Sequence, residues 1–255
     1  MMDLTDQTPT GIEGLDQLLG GGFPRGRTVL VIGGPGTGKT IMAAQFLYKG
    51  IYDENENGVF VSLDESKDHF FSEMKRFGWD FAKAEREGRF FFLDATHVSR
   101  VSMLKEEVYK TETKSLRGKH LPIDELIKEL SHRIQSIGAK RLAVDTLAAL
   151  FYRFSDPLER RTAIVDLIES LADLGTTNVI TTEIGHLSLE RNATVEEYLV
   201  HGVIMMQTLF SEGTTNRAIQ VEKMRGTKVN PNIVPYTIDK EGIEVYPNMP
   251  LFTEK

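Results

Sequence analysis

The sequence predicts an α/β fold, a mainly parallel twisted sheet flanked by helices, with an antiparallel extension at the C-terminal end. Three observations carry this expectation. Apolar runs of the kind found in strands buried on both faces alternate with segments of helical spacing as far as Glu183. A glycine-rich turn joins the first long run to the helix behind it. Beyond about residue 200 the helical segments give way to strands separated by short turns.

In chain order, "RTVLVIGG" (27–34) is a continuous apolar run, and "KTIMAAQFLYKGIY" after it has helical spacing. "GVFVSL" (58–63) precedes a polar helix near 67–77. "RFFFLDA" (89–95) precedes a helix over 123–138, in which Ile123, Leu126, Ile127, Leu130, Ile134 and Ile137 share one face. "RLAVDTLAAL" is the fourth strand. Ser155 or Asp156 then caps a helix opened by Pro157 and closed by Gly175, and "TNVITTE" is the fifth strand. Strands alternating with helices imply parallel pairing through right-handed crossovers. "HGVIMMQTLF", "RAIQVEKMR", "VPYTID" and "GIEVYP" follow as strands, with turn signals such as "SEGTTN" and "DKEG" between them. The polar, patternless stretch 97–121 is expected to be a surface loop.

With 255 residues, 40% of them hydrophobic, the chain is long enough for one sizeable domain with a buried core, and one domain over 1–255 is expected. Thirty Lys and Arg stand against 37 Asp and Glu, a net charge of −7, which argues against a generally basic nucleic-acid-binding surface. Cysteine is absent, excluding disulfides and thiolate metal sites. No apolar run approaches the roughly 20 residues that span a bilayer, and "MMDLTDQTPT" has no signal-peptide pattern. The expectation is a soluble, cytoplasmic protein without a membrane partner.

The strongest chemical signal is "GGPGTGKT", Gly33 to Thr40, between a strand and a helix. It matches the P-loop pattern, in which glycines let backbone N–H groups converge on phosphates at a helix N-terminus. The expected ATP/ADP cradle is Gly34, Pro35, Gly36, Thr37, Gly38, Lys39, Thr40 and Ile41. Lys39 would reach the β- and γ-phosphates, and Thr40 would offer its hydroxyl to Mg²⁺. Asp145, ending the apolar run of "RLAVDT", supplies the second magnesium-orienting group. Asp64 and Glu65 close "GVFVSLDES" at the carboxyl edge of the sheet, where ligands of open α/β folds sit. Glu65 has the longer reach and is the preferred base for activating water. Two adjacent carboxylates there could instead cap the next helix. Thr181, Thr182 and Glu183 end "VITTE" at the same edge, where a hydroxyl, assigned to Thr182, could sense the γ-phosphate.

These residues carry a resemblance. "TPTGIEGLDQLLGGGFPRGRTVLVIGGPGTGKT", "GVFVSLDES", "FGWDFAKAEREGRFFFLDAT", "RLAVDTLAAL", "TTNVITTE" and "VEKMRGT" together resemble the KaiC-type domain of the RecA superfamily, over about Thr10 to Phe252. The resemblance implies a RecA-like P-loop fold and rings, generally of six subunits, with ATP at each subunit boundary. It assigns water activation to Asp64 and Glu65. It makes Lys223 and Arg225, with Met224 between them, trans-acting contacts to the nucleotide of the neighbouring subunit, and it brings Asp239 toward the base or ribose from that same neighbour. Lys228 and Val229 depart from the Ser-His that follows Arg-Gly-Thr in clock members, and Glu197 and Tyr198 stand where autokinase members have Ser-Thr. Slow Mg²⁺-dependent ATP hydrolysis by a ring-shaped homo-oligomer is therefore expected, without autophosphorylation. Two other classes compete with it. One is a DNA-dependent motor using Arg153, Arg160 and Arg161 of "FYRFSDPLERR"; the other is a nucleotide-gated scaffold with little turnover.

Overall fold

The apolar runs form one nine-stranded sheet in a computed structural model that describes residues 7–95, 121–151, 156–183, 193–211, 214–227, 229–230, 232–249 and 251. A small antiparallel pair, β1 (Gln7–Thr8) and β2 (Phe23–Pro24), flanks α1 (Leu15–Leu19) at the start of the chain. The main chain of alternation is β3 (Thr28–Gly33), α2 (Lys39–Asp53), β4 (Gly58–Ser62), α3 (Lys67–Met74), α4 (Phe81–Arg86) and β5 (Phe90–Asp94). It continues through α5 (Leu121–Ile137), β6 (Arg141–Asp145), α6 (Ala148–Phe151), α7 (Pro157–Ala172), β7 (Thr177–Glu183) and α8 (Val195–Leu199). Four strands end it: β8 (Gly202–Ser211), β9 (Thr214–Met224), β10 (Val234–Asp239) and β11 (Gly242–Val245).

The sheet order is β11-β10-β9-β8-β3-β7-β6-β4-β5. From β8 to β5 every pairing is parallel, and from β8 outward to β11 every pairing is antiparallel. The parallel strands are therefore near-continuous apolar runs, because helices cover both of their faces. Strand alternation divides the core. Val29, Val31, Phe60, Ala143 and Val179 face α1, α2, α3 and the C-terminal strands, whereas Leu30, Ile32, Val59, Val144 and Ile180 face α5, α7 and Leu147.

Asp156 caps α7 as expected, its carboxylate accepting from Leu158 N at 2.9 Å. On α5, Ile123, Leu126, Leu130 and Ile134 are buried, while Ile127 and Ile137 pack at the margin. The fourth strand is shorter than its apolar run: it ends at Asp145, and Ala148–Phe151 turns into a helix. Leu147 N donates to Thr181 O at 2.9 Å there, drawing the chain across the strand end. Of the stretch 97–121, only Leu121 lies within the described residues, where it opens α5. No helix among the described residues is long and apolar enough to cross a membrane.

At the opposite edge of the sheet Arg141 is wholly buried. Its Nε donates to Glu56 at 2.7 Å, its NH1 donates to Pro9 O and Phe46 O at 2.9 Å each, and its guanidinium lies 4.6 Å from the Phe46 ring. Gly50 leaves the space it occupies, since a Cβ there would collide with the guanidinium. Truncating Arg141 would leave a void lined by carbonyls that have lost their donor, and Glu56 would keep only Arg25, at 2.5 Å, as its ion-pair partner among the described residues. Arg141→Ala is therefore expected to cost about 3 kcal/mol or more, read as a lower urea midpoint.

Candidate active site

β3 ends at Gly33, and the chain turns through Gly34–Gly38 into α2. Gly36 and Gly38 have φ of 74° and 93°, a region in which a side chain would strain the turn. Thr37 ties the loop by donating its hydroxyl to Gly34 O at 2.8 Å. Tyr236 on β10 donates to Thr37 O at 2.5 Å, so the C-terminal strands brace the loop from the side. Lys39 Nζ donates to Gly33 O and Gly34 O, each at 3.0 Å, which folds its ammonium against the loop. Burial lowers the Lys39 pKa, while Glu183, Asp145 and Asp64 work to raise it. The side chain of Ile41 packs against the core in the first turn of α2.

Asp145 stands at the end of β6 beside that first turn. Its carboxylate accepts from Thr40 Oγ1 at 2.7 Å and from Thr181 Oγ1. Only 5% of it is exposed, and burial raises its pKa against the opposing effect of those two hydroxyls and Lys39. A buried carboxylate beside a hydroxyl suits a hard divalent cation, whose charge would relieve the cost of burial. Among the described residues no group of three or more His, Cys, Asp or Glu could hold a metal by itself. That combination fits Mg²⁺, which is held by one or two protein groups and completes its octahedron with phosphate oxygens and water.

Across from this pair, a cleft of about 440 Å³ is lined by Thr40, Asp64, Glu65, Ser66, His69 and Asp145. Glu65 N donates to Ser62 Oγ at 2.9 Å, fixing the turn that follows β4. Burial, then the charges of Glu73, Asp145 and Asp64, push the Glu65 pKa up to about 7, against a smaller opposing effect of His69. Asp64 is also raised, by burial and then Asp145, and as a whole residue it is exposed where Glu65 is half-buried. Two neighbouring carboxylates thus occupy one cleft with unlike environments.

The strands separate three of the residues expected at the nucleotide. Thr181 reaches Asp145, whereas strand alternation turns Thr182 with Ile180 toward α5 and α7. The Thr182 hydroxyl is buried without a hydrogen-bond partner among the described residues. Met224 buries its side chain in the core against Gly202, so only its backbone is left to meet a ligand. Asp239 ends β10, which runs parallel to β3 and reaches the carboxyl edge that carries this chain's own P-loop. Arg225 follows the end of β9 at the other edge, so Asp239 and Arg225 lie at opposite ends of the sheet.

The register locates the basic pair. Lys223 opposes Val203 and Met224 opposes Gly202, while Gly202 opposes Val29 near the start of β3. Gly33 lies at the far end of that strand, roughly 13 Å away at about 3.3 Å per residue. Lys223 Nζ donates to Glu197 O at 2.7 Å and Val200 O at 2.8 Å, and Arg225 NH2 donates to Tyr198 O at 2.9 Å. Both cations therefore cap the C-terminal carbonyls of α8. Burial and then the charge of Arg225 lower the Lys223 pKa. Lys228 and Arg153 lie outside the described residues, and Arg160 and Arg161 stand on α7.

Sequence reasoning missed Tyr236. Nothing local in "VPYTID" marks it, since its partner Thr37 is 199 residues away.

A family model described as the ATPase KaiC matches residues 8–249. A UPF0273 protein of Methanocaldococcus jannaschii is 37% identical over 241 residues, covering 94% of this chain and 96% of that protein. The circadian clock oscillator protein KaiC of Synechococcus elongatus is 32% identical over 239 residues, 93% of this chain but 44% of the clock protein. Among solved structures, the KaiC-like protein of Pyrococcus horikoshii superposes with a TM-score of 0.79 at 34% identity, covering 95% of this chain and 99% of that one. With a P-loop, a strand-end Asp145 and a match that runs almost from end to end, the chain belongs to the KaiC family of ATPases.

Proposed function

We propose that the protein is a Mg²⁺-dependent ATP hydrolase that works as a ring-shaped homo-oligomer, each nucleotide being completed by Lys223 and Arg225 of the neighbouring chain. The observation that carries this reading is the buried Asp145 carboxylate bonded to Thr40 at the N-terminus of α2, facing Glu65 across one cleft. The backbone amides of Gly34–Gly38 and the ammonium of Lys39 bind the triphosphate. Thr40 and Asp145 would hold the cation, which would supply positive charge to offset that developing on the phosphates. Glu65 accepts a proton from the attacking water. Asp239, on the P-loop side of its own chain, lies on the side of the sheet where its own nucleotide would be bound.

What supports completion in trans is the separation of the basic pair from its own P-loop along the length of β3. A site lacking its arginine needs one from elsewhere, and an acidic chain with a localised basic strand end is suited to supply it. Hydrolysis is favoured over autophosphorylation by Glu197, which is engaged in the capping box of α8 where an acceptor hydroxyl would be required. Arg160 and Arg161 stand on α7 rather than on a loop, so a basic pore loop for DNA gains no support from the described residues.

Lys39→Ala tests the P-loop assignment. Its ammonium neutralises phosphate charge that backbone amides alone leave exposed, so the variant is expected to lose ATP affinity or all measurable turnover. Equilibrium binding of a fluorescent ATP analogue reads the first, and phosphate release reads the second. Unchanged values in both would overturn the assignment.

A further inference from the structure

α3 turns Phe70 and Met74 into the core and presents His69 to the cleft. Phe70 is held there by Phe60 at 4.2 Å and by Phe81 and Phe92 at 5.2 Å, measured between ring centres, so the helix cannot easily rotate. His69 and Glu73 lie four residues apart on α3 and so share one face of the helix, while Glu65 lies in the turn before its cap and meets His69 in the lining of the cleft. His69 lines the same cleft as Glu65, Asp64 and Asp145, and is the one basic side chain among the described residues lining it. Lys67, the nearest other cation on α3, is engaged with Glu85 at 2.6 Å. The charges bearing on Glu65 have unlike signs: Glu73, Asp145 and Asp64 act together, and His69 acts against them.

We propose that His69 is the proton exit of this site, a positioning residue that receives from Glu65 the proton taken from the attacking water. The inference rests on the assignment of Glu65 as the base. In the step, the water oxygen bonds to the γ-phosphorus and the bond from that phosphorus to the β,γ-bridging oxygen breaks. The ADP oxygen keeps the electron pair, and one water proton moves to the Glu65 carboxylate. His69 then takes that proton on its imidazole and restores Glu65, with Glu73 one helical turn further along α3, and the proton leaves to solvent. Imidazole is suited to this because it takes up and releases protons near neutrality. Without it, the described lining of the cleft offers the proton only the carboxylates of Asp64, Glu65 and Asp145.

The test is single-turnover ATP hydrolysis by the full-length assembled protein, comparing wild type with His69→Ala and His69→Gln. Both variants are expected to bind ATP as wild type does and to lose roughly 10-fold in rate, less than loss of the base itself. Added imidazole should restore His69→Ala, whose truncation leaves room in the cleft, and not His69→Gln. Wild-type rates in both variants, or a loss in His69→Ala that imidazole does not relieve, would overturn the proposal. Full turnover in Glu65→Gln would instead remove the reading on which it rests, whatever His69 does.

Discussion

Arg225→Ala is expected to leave ATP bound while turnover falls by about 10³- to 10⁵-fold, the usual worth of an arginine that meets the transferring phosphoryl group. The guanidinium is exposed at the end of β9, and its one hydrogen bond through NH2 goes to Tyr198 O. Losing that bond costs α8 one of its C-terminal caps, an effect of about 1 kcal/mol. A drop in rate of several decades with a nearly unchanged melting temperature therefore separates catalysis from folding. Lys223 spans the carbonyls of both Glu197 and Val200, so its removal confounds the two more strongly, and Arg225 is the better probe.

Glu65→Gln keeps the size of the side chain and removes its basicity. Turnover is expected to fall by roughly 10²- to 10⁴-fold with ATP affinity retained. The pH profile gives a second reading. With its pKa near 7, Glu65 is a competent base only once ionised, so wild-type turnover should climb as pH rises through about 7, and the residual rate of the variant should not show that limb. The stability linkage has a defined sign. The folded-state pKa lies above the ordinary value of 4.5, so the native protein binds this proton more tightly than the unfolded chain and loses stability as pH rises from 4.5 toward 7. Glu65→Gln is free of that loss and should be at least as stable as wild type above pH 7 by chemical denaturation. If Asp64→Asn proves the more damaging substitution, the roles of the two carboxylates are exchanged.

Strands whose apolar runs end on a turn residue or a charge were legible with close boundaries. β7 over Thr177–Glu183 and β10 over Val234–Asp239 are as their sequences suggest. The strand is shorter than "RLAVDTLAAL" suggests because Leu147, Ala148 and Ala149 are apolar for a different reason, a turn and short helix against the same core. The segment holding β1, α1 and β2 gave no clear pattern, since elements of two to five residues are too short to express a period.

The P-loop was legible because its chemistry lies in one contiguous turn. What lay across the sheet was harder. Period-two alternation shows that Thr181 and Thr182 face opposite ways, yet which of them faces the P-loop depends on pairing with β3. Likewise, that β9 and β10 end at opposite edges follows from strand direction, a property of the assembled sheet. Tyr236 and His69 were unread for the same reason: one braces a loop far away in sequence, and the other gains its neighbours only when α3 packs over the cleft.

The most direct test of completion in trans mixes Arg225→Ala with Glu65→Gln subunits in one assembly. A boundary that unites a wild-type Glu65 with a wild-type Arg225 can then form only if the two residues come from different chains. Each variant alone should be nearly inactive and the mixture partly active, and the size of the arginine effect makes even a minority of restored boundaries visible above background. A mixture as inactive as its parents, with subunit exchange independently confirmed, would show that Arg225 acts within its own chain or not on ATP at all.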